Sequence, residues 1–280
     1  MTRYAAIALV LFAASSAGAA DKKFERAFTA PPGGSLVVEA DSASVRVSGG
    51  DTNQVLVRMS ARGSEEDLAK MQFDAVQKGD AVTVTMRRQA KGGWFNWKSW
   101  NGEGHIEVTV PQRYGINVHT GGGNVELTDF IGSANLHTSG GDIVAKNVDG
   151  NVEARTSGGG IFANTVRGEV DASTSGGDVR LLHVDGKITG RTSGGDVQCS
   201  LVGINRGISV SSSGGSIQLI LPRATTANIE ATSSGGEFNS ELPVATTKWQ
   251  DGHVKGSLNG GGQPIDVRTS GGDISLRVAN

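Results

Sequence analysis

The chain has 280 residues, a formal net charge of −2 and only 5% aromatic residues. This balance argues against a nucleic-acid-binding protein, because phosphate binding needs clustered Lys and Arg side chains. Glycine contributes 42 residues and proline only 6. The glycines lack the every-third-residue spacing of collagen, and the low proline content is not that of a flexible linker.

Residues 1–19 have the pattern of a secretory signal peptide. Arg3 supplies the positive charge, residues 5–14 form a short apolar run, and the triplet Ala-Gly-Ala before the cleavage point has small residues at its two ends. We therefore predict an exported protein of the periplasm or the cell surface. The apolar run is too short for an ordinary membrane-spanning helix, and no later stretch is long enough, so no transmembrane segment is expected in the mature chain.

The region 20–118 has the features of opening β coils with one helix. Alternation of apolar and polar residues predicts strands over 33–51, 53–63, 80–88 and 104–111. A short helix is predicted over 64–76, with Ser64 as its N-cap and acidic residues in its first turn. This helix would cover the open edge of the first coils.

The segment 91–102, here called the aromatic loop, interrupts this pattern. It contains three of the four tryptophans with a phenylalanine beside them, and its ends are rich in glycine. Such a cluster suits binding to a sugar, a protein or a lipid interface, or packing as an apolar lid over the first coils. The candidate ligand-binding residues are Trp94, Phe95, Trp97 and Trp100.

A strict repeat dominates the region 119–280. Gly-Gly pairs begin at residues 122, 140, 158, 176 and 194, within nearly identical words such as TSGGDIVA and TSGGDVRL. A constant period indicates one supersecondary unit stacked on copies of itself. Alternating apolar residues give each copy two short strands. The sequence therefore predicts an all-β protein, a right-handed parallel β-solenoid with 18-residue coils and one short N-terminal helix.

In such a stack equivalent residues lie over one another, so the repeat predicts columns of like residues. One inward column contains Cys199, which is then a buried structural residue rather than a reactive thiol. Another inward column is expected to run through Val148, Val166, Val184 and Val202. A glycine column marks a corner, and a threonine column beginning at Thr138 fits hydroxyl groups that bridge adjacent coils. The spacing loosens after Gly194, an insertion falls near 240–259, and an ordinary repeat closes the chain.

These repeats resemble a bacterial putative-adhesin family built from β-strand repeats, catalogued as a domain of unknown function. The segment VTVPQRYGINVHTGGGNVEL (108–127) carries the strand, Pro, strand and Thr-x-Gly-Gly order of that family, and LILPRATTANIEATSSGGE (219–237) repeats it. The resemblance covers roughly 34–280. It implies the β-strand repeat architecture and an exported location, and relates the chain to heads of cell-surface adhesins, without assigning catalytic or binding residues.

Two patterns bear on metal binding. An Asp column follows the Gly-Gly pairs and brings to mind calcium β-rolls, but Gly160 interrupts it and the G-x-D step is missing. Turn formation by Asp explains the same column. His119 and His137 occupy the same position in consecutive repeats, but the column continues with Arg155 and offers no third ligand. We therefore expect no metal site and no cofactor.

One pair of carboxylates bears on catalysis. Glu153 and Asp171 are expected in neighbouring coils, as in polysaccharide-cleaving β-helices, but Asp171 can equally pair with Arg191 on a solvated face. We expect no enzymatic activity and no catalytic residue. The sequence favours an adhesin-like binding or scaffold protein of the bacterial envelope, with an envelope glycan or surface protein as partner. The alternatives are a periplasmic structural or envelope-stress-related protein without its own ligand, and a polysaccharide-active β-helix enzyme.

Overall fold

The computed structural model describes residues 8–13, 20–89, 102–250 and 252–279, with residues 8–13 and 249–250 described by their backbone alone. Apart from one short helix, every regular element in these ranges is a β-strand, and most strands lie in parallel sheets. In the part of the chain so described, no helix is long and apolar enough to cross a membrane. The chain forms two compact units, Met1–Gly132 and Ser133–Asn280.

The first unit contains two sheets. Its elements are β1 (Ala8–Ala13), β2 (Ala20–Thr29), β3 (Ser35–Ala40), β4 (Ser44–Gly50), β5 (Gln54–Gly63), α1 (Glu65–Lys70), β6 (Met71–Lys78), β7 (Ala81–Arg88), β8 (Glu103–Pro111), β9 (Gly115–Thr120) and β10 (Val125–Ile131). One sheet has the order β1-β2-β5-β8-β4-β10 and the other β9-β3-β7-β6. The predicted strands 33–51, 53–63, 80–88 and 104–111 are confirmed, and the predicted boundary at 118/119 falls inside β9.

The opening strands β3 and β4 lie between strands that come much later in the chain. β4 is parallel to β8 and β10, with Val45 opposite Ile106 and Val125. β3 is parallel to β7 and β9, with Leu36 opposite Val82 and Ile116. All of these residues are buried, so the core of this unit joins residues that are far apart in the sequence.

The predicted helix 64–76 is too long. Ser64 is the N-cap, and its hydroxyl accepts a hydrogen bond from the Asp67 amide at 3.2 Å, but the helix ends at Lys70. Met71–Lys78 is instead strand β6, antiparallel to β7. The sequence fits both structures, since Leu68, Met71 and Ala75 share one helix face while Met71 and Ala75 also share one strand face. Residues 71–78 form a strand because the edge of β7 offers them backbone hydrogen bonds. Strands β1 and β6 each end one of the sheets and are antiparallel to their neighbours, and the helix does not cover these ends as predicted.

The second unit also contains two sheets. Its strands are β11 (Ala134–Thr138), β12 (Ile143–Asp149), β13 (Val152–Arg155), β14 (Ile161–Arg167), β15 (Val170–Ser173), β16 (Val179–Asp185), β17 (Ile188–Thr192), β18 (Val197–Leu201), β19 (Ile208–Ser212), β20 (Ile217–Leu221), β21 (Ala227–Ser233), β22 (Phe238–Ser240), β23 (Val244–Gln250), β24 (His253–Leu258), β25 (Pro264–Thr269) and β26 (Ile274–Val278). One sheet has the order β12-β14-β16-β18-β20-β26-β22 and the other β11-β13-β15-β17-β19-β25-β21-β24-β23.

The inward columns of the second unit follow the sequence prediction until the repeat lengthens. Cys199 is 1% exposed and lies opposite Leu181 and Leu219, and burial raises the pKa of its thiol to about 12. The predicted place of Val202 is wrong. The register shifts in β18, so Leu201 lies opposite Val184 and is buried, whereas Val202 is 45% exposed.

The corners explain the glycine and threonine columns. Thr192 Oγ1 donates to the Gly177 carbonyl of the preceding repeat at 2.7 Å and accepts from the Gly195 amide of its own repeat at 3.2 Å. A Cβ atom on Gly177 would lie 2.4 Å from the Gly159 carbonyl oxygen, closer than any side chain can approach. The predicted hydroxyl ladder is confirmed by equivalent bonds from Thr156, Thr174, Ser212, Ser233 and Thr269.

The last repeat of the chain is not the last repeat of the stack. β25 lies between β19 and β21, and β26 lies between β20 and β22. The insertion predicted near 240–259 forms the hairpin of β23 and β24, whose second strand is antiparallel to β21. The sequence predicts an ordinary closing repeat, and the structure places that repeat inside the sheets rather than at their end.

Candidate functional site

The aromatic loop lies between β7 and β8. Trp94, Phe95, Trp97 and Trp100 all fall outside the described residues. Their proposed role in ligand binding and the alternative role as a lid therefore stay predictions.

A row of alternating charges crosses the outer face of the first unit. We call it the charged row, and it follows the strand order β2, β5, β8, β4 and β10. Its members are Glu25, Arg58, Glu107, Arg46 and Glu126.

Strand alternation produces this row. Each member lies between inward residues such as Phe24, Val57 and Val108, which are 7% exposed or less, so its own side chain faces solvent. Arg58 and Arg46 keep 58% and 62% of their side chains exposed. The charges are therefore presented to solvent on a rigid sheet.

Ion pairs connect most of the row. Arg58 Nε lies 3.0 Å from Glu25 Oε1, and Arg46 Nε lies 2.9 Å from Glu126 Oε2. Arg46 Nη1 approaches Glu107 Oε1 at 3.8 Å, and Glu107 lies opposite Arg58 in the register. The hydrogen bond from Arg46 to Glu126 raises the pKa of the Arg46 guanidinium. Exposed pairs of this kind add little to stability.

A shallow cavity of about 610 Å³ accompanies the row. It is lined by Glu25, Arg46, Arg58 and Glu107 of the row, and Lys23, Ser60 and His105 extend it to one side. Both signs of charge and several hydrogen-bonding groups therefore face one concave surface. Such a surface suits a ligand that also carries both donors and acceptors.

The carboxylate pair predicted for a polysaccharide-cleaving enzyme is brought together. Glu153 and Asp171 lie opposite each other on β13 and β15. Arg155 forms ion pairs with both of them, at 3.9 Å to Asp171. The predicted alternative pair is confirmed as well, because Arg191 Nη1 lies 3.4 Å from Asp171 Oδ1.

The predicted Asp column has a structural role. The Asp142 carboxylate accepts the Gly160 amide at 2.8 Å, and the Asp178 carboxylate accepts the Asp196 amide at 2.9 Å. Each of these bonds reaches the next repeat, so the aspartates link adjacent coils. His119 faces Glu39 in the register and His137 faces Arg155. Among the residues that the structure describes, no group of three or more His, Cys, Asp or Glu side chains is placed to hold a metal ion.

Most of the chain matches one known protein family. The model of the family described as Toastrack DUF4097 matches residues 34–277. The chain belongs to this family. The resemblance inferred from the TGGG and TSGG repeats is therefore confirmed over nearly the same range. No curated protein matches this Toastrack chain.

Three solved bacterial structures are similar to this chain. A "putative cell adhesion protein" from Clostridium sporogenes is 12% identical, with a TM-score of 0.28 and coverage of 91% of this chain and 99% of that one. A "putative adhesin" from Bacteroides fragilis is 12% identical, with a TM-score of 0.37 and coverage of 91% and 97%. A "putative lipid binding protein" from Parabacteroides distasonis is 12% identical, with a TM-score of 0.32 and coverage of 90% and 96%.

The charged row extends beyond the Toastrack match. Arg46, Arg58, Glu107 and Glu126 lie within residues 34–277, whereas Glu25 belongs to β2 and precedes the match. The charged row therefore includes one carboxylate, that of Glu25 on β2, which the matched family region does not contain. Sequence reasoning missed the row because its members come from strands that are not neighbours in the chain. The available signal was the charged residue at outward positions of each of these strands.

Proposed function

We propose that this Toastrack chain is an exported, non-enzymatic, adhesin-like binding or scaffold protein of the bacterial envelope. Its architecture would be a right-handed β-solenoid of 18-residue coils. Its partner would be an envelope glycan or a surface protein, recognised by the charged row. The observation that carries the proposal is the continuous line from Glu25 to Glu126 beside the 610 Å³ cavity.

Register and topology support the proposed architecture. Ile143, Ile161 and Val179 are successive register partners, and they occupy the same position in consecutive repeats. Parallel strands joined by crossovers in one sheet are right-handed in about 98% of cases. The inward side chains fill the space between the two sheets, so the outer faces are the surfaces that remain for recognition.

Electrostatics support a binding role for the charged row. Arg46, Arg58 and Glu25 keep more than half of their side chains exposed, so a partner can replace one ion pair with another at small net cost. A partner with both signs of charge matches the row better than a polyanion does, because Glu107 separates Arg46 from Arg58. A protein surface or an amino-sugar glycan with acidic groups has this character.

The state of the carboxylate pair supports a non-enzymatic role. A glycosidase needs one carboxyl group that gives a proton and a second that acts as base or nucleophile. Here Arg155 forms ion pairs with both Glu153 and Asp171. Arg191 approaches Asp171 as well. This arrangement is that of a structural ion-pair cluster.

The test compares binding of the mature chain, residues 20–280, with that of charge-reversed variants. The double variant Arg46→Glu/Arg58→Glu should reduce capture of envelope glycans and surface proteins by roughly tenfold or more at about 0.15 M salt. The matched control is Arg268→Glu, an exposed and ion-paired arginine of the second unit. If the unmodified chain, the double variant and the control captured equal amounts of envelope components, the charged row would not be the binding surface.

Two further outcomes address the alternative functions. Failure of the unmodified chain to bind any envelope component would favour the structural role without a ligand. Release of reducing sugar ends from a polysaccharide, lost in Glu153→Gln, would establish the enzymatic alternative and overturn the proposal. We expect no release above the buffer control.

A further inference from the structure

The one break in the Asp column creates a notch on the outer surface of the second unit. Asp142, Gly160, Asp178 and Asp196 occupy the same position in successive repeats. Gly160 has no side chain there, and a Cβ atom would lie 3.2 Å from the Asp178 carbonyl oxygen and 3.9 Å from Asp142 Oδ1. The Cβ position itself is therefore tightly bounded, but the carboxylate that the neighbouring repeats carry is missing between Asp142 and Asp178.

This notch is part of a defined cavity of about 320 Å³. Its outward lining includes Asp142, Val144, Phe162, Asp178 and Arg180. Volumes of this size lie at the lower end of small-molecule sites. The cavity lies wholly on β12, β14, β16 and the turns that precede them, so rigid parallel strands hold its lining in place.

Phe162 provides an aromatic surface at the notch. Its side chain is half-buried on the outer face of β14, and its register neighbours are Val144 and Arg180. The same outward column continues with Gln198, Gln218 and Ser275. An aromatic ring at this place is therefore a departure from the polar side chains that the later repeats place there.

Polar groups line the same cavity as Phe162. Arg180 Nη2 donates to Asp178 Oδ2 at 2.7 Å, while Asp178 Oδ1 accepts the Asp196 amide. The Asp178 and Arg180 side chains are 39% and 56% exposed. The pair therefore offers a ligand both hydrogen-bond acceptors and donors beside the phenyl ring. With Asp142, the notch carries two carboxylates and one guanidinium.

We propose that the notch binds one pyranose ring of a neutral or amino sugar. The apolar C–H face of a pyranose stacks on an aromatic ring, and its hydroxyl groups bond to a carboxylate and a guanidinium side by side. The excess of one negative charge disfavours uronic and other acidic sugars. This site lies on the second unit and does not rest on the charged row.

Two variants of the full mature chain test the notch. Gly160→Asp restores the missing carboxylate of the column at a position without a positive φ angle, where its Cβ atom needs only a small shift of the Asp178 backbone 3.2 Å away. Phe162→Val removes the ring and installs the side chain type of its register neighbour Val144. The matched control is Gln218→Val, which places the same side chain further along the same outward column. Melting curves establish that each variant is folded.

The probes are the methyl glycosides of glucose, glucosamine, N-acetylglucosamine and glucuronic acid, observed by saturation-transfer NMR and by titration. We expect a Kd of about 1 mM for a single ring, at least tenfold weaker binding of the glucuronide, and at least tenfold loss in Gly160→Asp and Phe162→Val. The control Gln218→Val should bind as the unmodified chain does.

Three results would overturn the proposal. The first is that no neutral or amino sugar binds at a sugar concentration of about ten times the expected Kd. The second is that both notch variants are folded and bind sugar as the unmodified chain does. The third is that the chain prefers the glucuronide. The Arg46→Glu/Arg58→Glu variant should keep its sugar affinity. Because this variant changes only the charged row, its sugar binding tests the notch independently of the proposed function.

Discussion

Replacing Thr192 by Val should measure what one hydroxyl bridge between repeats contributes. Val preserves the shape of Thr but removes both hydrogen bonds of the hydroxyl, to the Gly177 carbonyl at 2.7 Å and from the Gly195 amide at 3.2 Å. Thr192 is 5% exposed, so water replaces these bonds poorly. At about 1 kcal/mol for each bond, and more where a group stays unpaired, the loss should be about 2–3 kcal/mol.

The second unit offers its own control for this change. Ser212 and Ser233 occupy the same column and make the same bond to the neighbouring repeat. Thr192→Ser keeps the hydroxyl and loses one methyl group, which should cost about 1 kcal/mol or less. Urea unfolding followed by circular dichroism gives both free energies. For a cooperative unit of this size, the Val variant should also melt about 5–10 °C lower.

Two results would refute this reasoning about the hydroxyl. If Thr192→Val were as stable as the unmodified chain, the hydroxyl bridges would contribute nothing net. If Thr192→Ser lost as much stability as Thr192→Val, the methyl group rather than the hydrogen bonds would stabilise the corner.

Three further predictions concern other parts of the chain. Gly190→Ala should raise stability by about 0.5–1 kcal/mol, because alanine reduces the conformational entropy of the unfolded chain. Alanine fits there, since its Cβ atom would meet three valine side chains at an ordinary 3.5 Å. Gly177→Ala should instead lower the melting temperature, because its Cβ atom would clash with the preceding repeat. Cys199 should react with a thiol reagent only after unfolding, and labelling of the folded chain at neutral pH would contradict this. Burial raises the pKa of its thiol to about 12 from 9.0. The free energy of unfolding should therefore fall as the pH rises above about 9, where only the thiol of the unfolded chain ionises. Replacing the three tryptophans of the aromatic loop by Ala should abolish pull-down from envelope extract with little change in melting temperature if the loop binds, whereas a large melting loss with unchanged pull-down would identify a lid.

The periodic part of the fold could be predicted because a constant repeat length fixes the register. Once Ile143 lies opposite Ile161, every later column follows until the repeat length changes. Between Gly194 and Gly214 the repeat is longer than those before it, and alternation alone no longer shows which residue turns inward. Leu201 takes that place because the strand shifts at β18, and Val202 is left exposed.

The candidate surfaces were harder to predict because they depend on strand order. Arg46 and Glu126 are far apart in the sequence and adjacent only because β4 pairs with β10. Nothing in the local pattern of either strand indicates that partner. The notch had a visible signal, since Gly160 interrupts the Asp column, but its meaning depends on the outward Phe162 that follows. Both Gly160 and Phe162 can be found by comparing the repeats position by position.

The placement of the repeat at 264–278 has a consequence for how the chain acquires its structure during synthesis. In the second unit, the strands from β13 to β20 can add one after another during synthesis, since each pairs with a parallel strand that precedes it in the chain. The segment 227–240 cannot, because the slot beside β19 and β20 belongs to residues 264–278. It therefore stays unpaired on that side until residues 264–278 have been synthesised. Residues 264–278 then join the two groups of strands, and a chain truncated before them keeps an open sheet edge that can pair with other strands.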